Sequence, residues 1–489
     1  MNEKKNLTTK ETFDLAVKNH KKNNLQIAEN LYKEALKTNP NHFESIYYLG
    51  TLLAQTQRFD LAKPLLFKAM QIQPNNADAH NNFGNVLKEL GKYQKAKSSY
   101  EKAIQIQPNY ASAHYNLGIV LQELGEYQKA KSSYEMAVKY KPENLVYLYH
   151  LSRLDEKILH SNLKNKIYEI IERSNSAKKN IAYGNFLLSK YELKAKKYKN
   201  EFDYLLKGHQ YYFESEKEKF IKRVEYLLNV LPKRKELINL NRYNKNIKKD
   251  NYVIKPIFII GVPRCGSTLI EKIIASGNQY IPIGEETSII DAVVANLINH
   301  KQSLNSDIEN FQTKIVETYK QKGLVQEKSN YMFTDKSLEN FFYIDIIKEI
   351  FPQAKVINCR RNALSSIMST LKNNLLFLEW THNLEHIFKY YDVYYQMIKN
   401  FEKTLPNFIY DLQYEKFVSD PENEAKKLMK FCGLPWDIKC LEFYKRRDLI
   451  SKTASNFQIR KAIYKDSINK YLPYKHFLSK YGNKYSWFK

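Results

Sequence analysis

Cysteine is scarce in this chain. Only Cys265, Cys359, Cys432 and Cys440 occur, and none forms a C-x-x-C pair. That spacing excludes the paired-cysteine metal frameworks and reads as free thiols in a reducing compartment. Long apolar runs are missing as well. No stretch of about eighteen apolar residues exists, so no membrane span is expected. The N-terminal segment MNEKKNLTTKETFDLAVKNH has no apolar core of the signal-peptide kind. The expectation is a soluble, cytoplasmic protein. Basic-aromatic motifs for RNA or DNA are absent too, despite a net charge of +26. The lysines read as solvated helical faces whose positive field steers anionic ligands, and no nucleic-acid partner is expected.

What is present begins with a repeat. Pro40, Pro74, Pro108 and Pro142 are each 34 residues apart. Ala28, Ala62, Ala96 and Ala130 form one column in phase with them, and Ala35, Ala69, Ala103 and Ala137 a second. Gly50, Gly84 and Gly118 form a third, and Phe59, Tyr93 and Tyr127 an aromatic column. Small residues let paired helices cross closely, and each proline ends a pair. The period is that of tetratricopeptide repeats, about four of them over residues 9–145, with a degenerate first repeat acting as a cap. Two roles stay open for such an array: binding a peptide or protein, or only solubilising or dimerising the rest of the chain.

Residues 146–250 show helical spacing, many lysines and few glycines or prolines. They predict helices that extend the solenoid and then a basic connector. A further domain is expected over residues 251–489. There an apolar strand, Ile257–Ile260, runs into Gly261-Val-Pro-Arg-Cys-Gly-Ser-Thr268 and an amphipathic helix. Strand, glycine loop and helix N-terminus make a phosphate cradle. The spacing copies the nucleotide loop G-x-x-x-x-G-K-[ST], but Ser267 stands in the lysine position and the cation has moved to Arg264. That points to a phosphate-bearing nucleotide other than a hydrolysed triphosphate.

Pro263-Arg-Cys-Gly-Ser-Thr-Leu269 resembles the 5′-phosphosulfate loop of the sulfotransferases. Gly284-Glu-Glu-Thr287 extends the resemblance to the tyrosylprotein branch, which carries G-E-E-T after the loop. The likeness implies an α/β domain with a parallel sheet behind the α-solenoid, and 3′-phosphoadenosine 5′-phosphosulfate as donor. It implies donor contacts from Arg264, Cys265, Gly266, Ser267 and Thr268. After a second strand, Arg361 and Ser369 match the family's arginine and serine, eight positions apart, that take the 3′-phosphate. Arg360 is left to the surface or to supporting contacts. Tyr414 in Tyr414-Glu-Lys-Phe-Val-Ser-Asp-Pro421, and Ser455 and Lys470 in later segments, carry over as further donor contacts.

For chemistry, the resemblance implies Glu286 as general base, with Arg264 and Lys336 as the cations that stabilise the sulfuryl group. No metal is required. At Ser288 the chain departs from the animal enzymes, which have an arginine there. The string His382-Asn-Leu-Glu-His386 imitates a zinc-protease pattern and is expected to occupy ordinary helix positions. The implied activity is sulfuryl transfer to an acceptor hydroxyl, with protein tyrosine favoured; the acceptor is then a protein or peptide, and holding it is one of the two roles open to the repeats. A carbohydrate or small-molecule sulfotransferase, and a peptide-binding scaffold with an inactive transferase domain, are the alternatives.

Overall fold

The computed structural model describes residues 7–173, 175–234, 254–299, 308–325, 332–446, 448–449, 460–464 and 468–488. Its contacts divide the chain into two compact units, Met1–Glu172 and Arg173–Lys489.

In the first unit the repeat columns become helix boundaries. The aromatic column opens the second helix of three pairs, Phe59–Ile72, Tyr93–Ile106 and Tyr127–Tyr140. Pro74, Pro108 and Pro142 follow the C-cap residues Gln73, Gln107 and Lys141, where a ring without an N–H cannot continue the helix. Both alanine columns are fully buried. The glycine column marks a close approach. A Cβ on Gly84 would stand 2.6 Å from the Tyr100 ring, and one on Gly118 2.5 Å from Tyr134. The degenerate first repeat forms Thr9–Lys21 and Leu25–Thr38, opened by a reciprocal cap between Thr8 and Glu11. Leu145–Leu154 and Ser161–Glu172 complete the unit.

The second unit is built on five parallel strands: β1 (Ile257–Gly261), β2 (Ile283–Glu285), β3 (Thr334–Lys336), β4 (Lys355–Arg360) and β5 (Ile409–Gln413). Their order is β2-β3-β1-β4-β5. Every residue of β1 is buried, as a central strand covered on both faces requires. From β1 the chain crosses to the β2–β3 side, and from β4 to the β5 side. The carboxyl ends of β1 and β4 therefore border the crevice where α/β sheets bind ligands. Gly261 pairs with Cys359, so the loops after these strands start side by side.

The helices Lys178–Lys194, Tyr198–Ser215 and Lys217–Glu225 belong to this second unit. The expected extension over 146–250 is thus divided at Glu172, and its later helices join the sheet domain's core. Arg223 bridges Asp291 at 3.3 Å and Glu339 at 3.0 Å, and the fully buried Arg234 pairs with Asp345. The expected basic connector and domain start near Asn251 fall largely outside the described residues. The H-x-x-E-H string is broken: His382 ends a 3₁₀ turn, and Asn383 caps the helix Leu384–Thr404 that carries His386. His382 faces inward, its Nδ1 3.0 Å from Nδ1 of His209.

Candidate active site

The loop between β1 and the helix Ser267–Ala275 depends on two glycines. Gly261 has φ +147°, and a Cβ there would meet the Cys359 carbonyl at 2.6 Å. Gly266 has φ +98°, and a Cβ there would meet the Tyr414 ring at 2.5 Å. Only glycine satisfies both the backbone and the space at these points. Arg264, at the loop tip, adopts a left-handed φ of +69°. The helix that follows turns its first N–H groups toward the loop, the feature that suits an anion.

Two hydrogen bonds tie this loop to the segment after β4, and a ring contact joins that segment to the one after β5. Arg264 Nε donates to Ser369 Oγ at 3.0 Å. Arg361 Nη1 donates to the Arg264 carbonyl at 3.1 Å. The Arg361 guanidinium lies 4.8 Å from the Tyr414 ring centre, a cation–π contact that fixes its plane. Ser369 rides on the helix Ala363–Asn373, capped by Asn362, whose side chain accepts from Ser365 N at 2.9 Å. Arg264, Gly266, Thr268, Arg361, Ser369, Tyr414 and Lys470 line one cavity. Ser267 and Cys265 lie buried in the loop wall. Ser455 lies outside the described residues. Arg360 points elsewhere and pairs with Glu402 and Asp411.

Lys336 sits behind the loop rather than in the cavity lining. Its ammonium donates to Thr268 Oγ1 at 3.1 Å, contacts Glu285, and lies 3.3 Å from Glu271. Glu271 is in turn held by the Thr334 hydroxyl at 3.0 Å. Burial by itself pulls Lys336 down, yet the Glu271 and Glu285 carboxylates outweigh it and hold the amine above its ordinary value. Lys336 is therefore charged, and Thr268 relays that charge to the loop. Lys272, equally enclosed, is pushed down by burial against the same Glu271.

Glu286 follows β2 directly. It is exposed, and its N–H donates to the Lys336 carbonyl at 3.4 Å. Its φ is +52°, and that of Ser288 is +48°. Two left-handed non-glycine residues cost about 1–3 kcal/mol each and need an anchor. Thr287 between them supplies it: its hydroxyl donates to Asp335 at 2.7 Å. The Tyr319 hydroxyl, Ser337 N–H and Asn340 side chain donate to the same carboxylate. Burial raises Asp335, while these donors work against the rise. The result is a short arch that throws Glu286 outward beside the charged Lys336.

Cys265 and Cys359 are both buried, and their thiols are hydrogen-bonded to each other. That contact draws the Cys265 thiol down and pushes the Cys359 thiol up. All four cysteines are free.

Motif reading alone misses Glu271 and Asp335, and it gives Glu285 and Thr287 no partners. On sequence, Glu271 and Lys272 look like the polar side of an amphipathic helix, yet they are 0% and 1% exposed. The signal in the sequence is Thr334-Asp-Lys336, two charges directly after the apolar Phe333; the structure buries all three residues, which requires buried counter-charges.

Residues 256–438 match the sulfotransferase family. Tetratricopeptide-repeat models match residues 21–77, 65–98, 84–125 and 111–144. The chain therefore joins a repeat array to a sulfotransferase-family domain. An uncharacterised protein of Aquifex aeolicus is 30% identical over 241 residues, 46% of this chain and 31% of that protein. Protein-tyrosine sulfotransferase 1 of Danio rerio is 24% identical over 205 residues, 37% of this chain and 54% of that protein. The omega-hydroxy-beta-dihydromenaquinone-9 sulfotransferase Stf3 of Mycobacterium tuberculosis is 28% identical over 115 residues, 22% of this chain and 29% of that protein. The chain thus spans 29% to 54% of the length of these relatives. A crystal structure of MamA aligns with 34% of the chain and 90% of its own, with 26% identity and a TM-score of 0.30. Among the described residues no helix is long and apolar enough to cross a membrane.

Proposed function

We propose that this sulfotransferase-family domain moves a sulfuryl group from 3′-phosphoadenosine 5′-phosphosulfate to the hydroxyl of a protein tyrosine. The observation that carries the reading is the convergence of Arg264, Arg361 and Ser369 on one cavity beside the helix N-terminus. Two guanidinium groups, a hydroxyl and helix amides form a donor set suited to a nucleotide with phosphates at both ends. The Tyr414 ring against Gly266 and Arg361 gives the set an apolar wall.

In this reading the acceptor oxygen attacks sulfur in line, while the bond from sulfur to the bridging phosphate oxygen breaks. Negative charge grows on that bridging oxygen. Arg264, the first amides of the helix Ser267–Ala275, and Lys336 acting through Thr268 stabilise it without reorganising. Glu286 takes the acceptor's proton. A tyrosine hydroxyl, with an ordinary pKa near 10, needs such a base at neutral pH. The likeness to the Danio rerio enzyme and the Gly284-Glu-Glu-Thr287 arch favour tyrosine as acceptor. The repeat array is assigned to holding the acceptor protein, and residues 251–489 together with the helices from residue 173 to the transferase unit.

The test is transfer of label from ³⁵S-donor to a panel of tyrosine peptides, glycans and small hydroxylated molecules without added magnesium. Labelled tyrosine peptides are expected. Label confined to glycans or small molecules would keep the donor chemistry and reject the acceptor. Dependence on ATP and magnesium would reject both.

A further inference from the structure

One cation on the cavity wall belongs to none of the sequence motifs. Lys372 lines the cavity and stands one turn past Ser369 on the helix Ala363–Asn373. A lysine at such a rim ordinarily samples many rotamers. This one is fixed. Its ammonium donates to the Tyr474 hydroxyl at 2.8 Å and pairs with Glu201 at 2.9 Å. The Tyr474 hydroxyl donates to the other oxygen of Glu201. Glu201 and Tyr474 are 2% and 1% exposed, whereas the Lys372 side chain keeps 28%. Burial and the Glu201 carboxylate push the Tyr474 hydroxyl far above its ordinary value, so it stays protonated and can donate.

The same helix that carries Glu201, Tyr198–Ser215, grips the neighbouring residue as well: His209 Nε2 donates to the Leu371 carbonyl at 2.9 Å. Leu371 is in the last turn of its helix, where carbonyls lack helical partners. Two consecutive residues of the Ser369 helix are thus held from one outside element.

An ammonium has three N–H donors, and Glu201 and Tyr474 take two. We propose that Lys372 is a further donor-binding residue, presenting its third N–H to the 3′-phosphate beside Ser369 and Arg361, with Glu201 and Tyr474 as positioning residues. The proposal rests on the donor reading of this cavity. It also gives the helix Tyr198–Ser215 a share in nucleotide affinity.

Calorimetry on the full chain tests it, with 3′,5′-adenosine bisphosphate and 5′-AMP as the two probes. Lys372→Met keeps the aliphatic stem and removes the charge. It is expected to weaken bisphosphate binding about tenfold or more, the scale of a lost charge-assisted hydrogen bond, and to leave 5′-AMP binding unchanged. Lys372→Arg should restore part of the loss. Glu201→Gln should weaken bisphosphate binding to a smaller degree, and Glu201→Gln with Lys372→Met should bind no worse than Lys372→Met alone. Parent-like binding of the bisphosphate by Lys372→Met, equal losses for both probes, or additive losses in the double variant would overturn the proposal. A parent chain that binds neither probe would reject the donor reading itself, and the proposal with it.

Discussion

Arg264 and Ser369, 105 positions apart, are joined by a hydrogen bond of 3.0 Å across the cavity. The loop after β1 and the helix after β4 are therefore already docked, with Arg361 clamped to the carbonyl of the same Arg264. On the proposed donor reading, a nucleotide entering this cavity would meet preset cations and bear little ordering cost. Arg361→Ala is expected to weaken affinity for 3′,5′-adenosine bisphosphate by about 1.5–3 kcal/mol, the range for hydrogen bonds to charged groups. Calorimetric titration checks it, and an unchanged dissociation constant would remove Arg361 from the donor set.

The parts of this arrangement differ in how far they could be read from sequence. The repeat helices were legible because each column has one local physical job, and Tyr93, Gly84 and Pro108 recur in phase. The loop was legible because strand, glycines and helix start are contiguous. What stayed hidden was the identity of partners across the fold. Glu201 is an unremarkable acid in a lysine-rich helix until Lys372 and Tyr474 arrive from more than a hundred residues away. His382 looked like part of a five-residue metal string, but its neighbour is His209. Helical periodicity over 178–225 said that helices form there and could not say which sheet they cover.

The pairing of His209 with His382 makes stability depend on pH. The Leu371 carbonyl can only accept, so His209 Nε2 carries a proton and its Nδ1 must accept from His382 Nδ1. A proton added to His209 would set N–H against N–H. Burial lowers His209 to about 4, against about 6.5 when unfolded. Burial also lowers His382, and the nearness of His209 lowers it further. Below about pH 6.5 the unfolded chain binds more protons, so stability is complete above that value and falls as pH drops toward 4. At pH 5 the His209 contribution to the loss is about 2 kcal/mol. Urea midpoints at pH 7.5 and 5 measure it. His209→Asn should flatten the part of the slope that belongs to this pair, and an identical slope in that variant would reject the assignment.

The chain divides into its two compact units after Glu172, which sets where it can be cut. A fragment beginning at Arg173 is expected to fold and to bind the bisphosphate, with its melting temperature raised by the ligand through mass action. A fragment beginning at residue 251 has every sequence motif of the donor site and still should fail. It lacks Arg223, Arg234, Glu201 and His209. Burial already raises the Glu339 carboxyl to about 7 even with Arg223 against it. Removing that arginine leaves Glu339 enclosed without its cation, and Lys372 loses its anchor. Equal nucleotide affinity in the two fragments would show that the helices from residue 178 are dispensable to the site.

Glu285 and Glu286 are adjacent and yet should behave differently when neutralised. The Glu285 side chain is 7% exposed and packs against Lys336, in one charge group with Glu271. Glu285→Gln breaks a buried pair and should cost about 3–5 kcal/mol of stability. Glu286 is exposed on the arch set by Thr287 and Asp335, so Glu286→Gln should leave the melting temperature and the bisphosphate affinity nearly unchanged. Its effect should fall on the chemical step. Glutamine keeps the shape and much of the hydrogen bonding but cannot receive the acceptor's proton, and single-turnover sulfuryl transfer should slow by about 10²–10⁴-fold. The loss should shrink as pH rises toward the acceptor's own pKa, because an already ionised tyrosine needs no base. That pH dependence separates a missing base from a displaced loop, which would slow the reaction at every pH. Transfer at the parent rate in Glu286→Gln would place the base elsewhere and remove the strongest support for tyrosine as the acceptor.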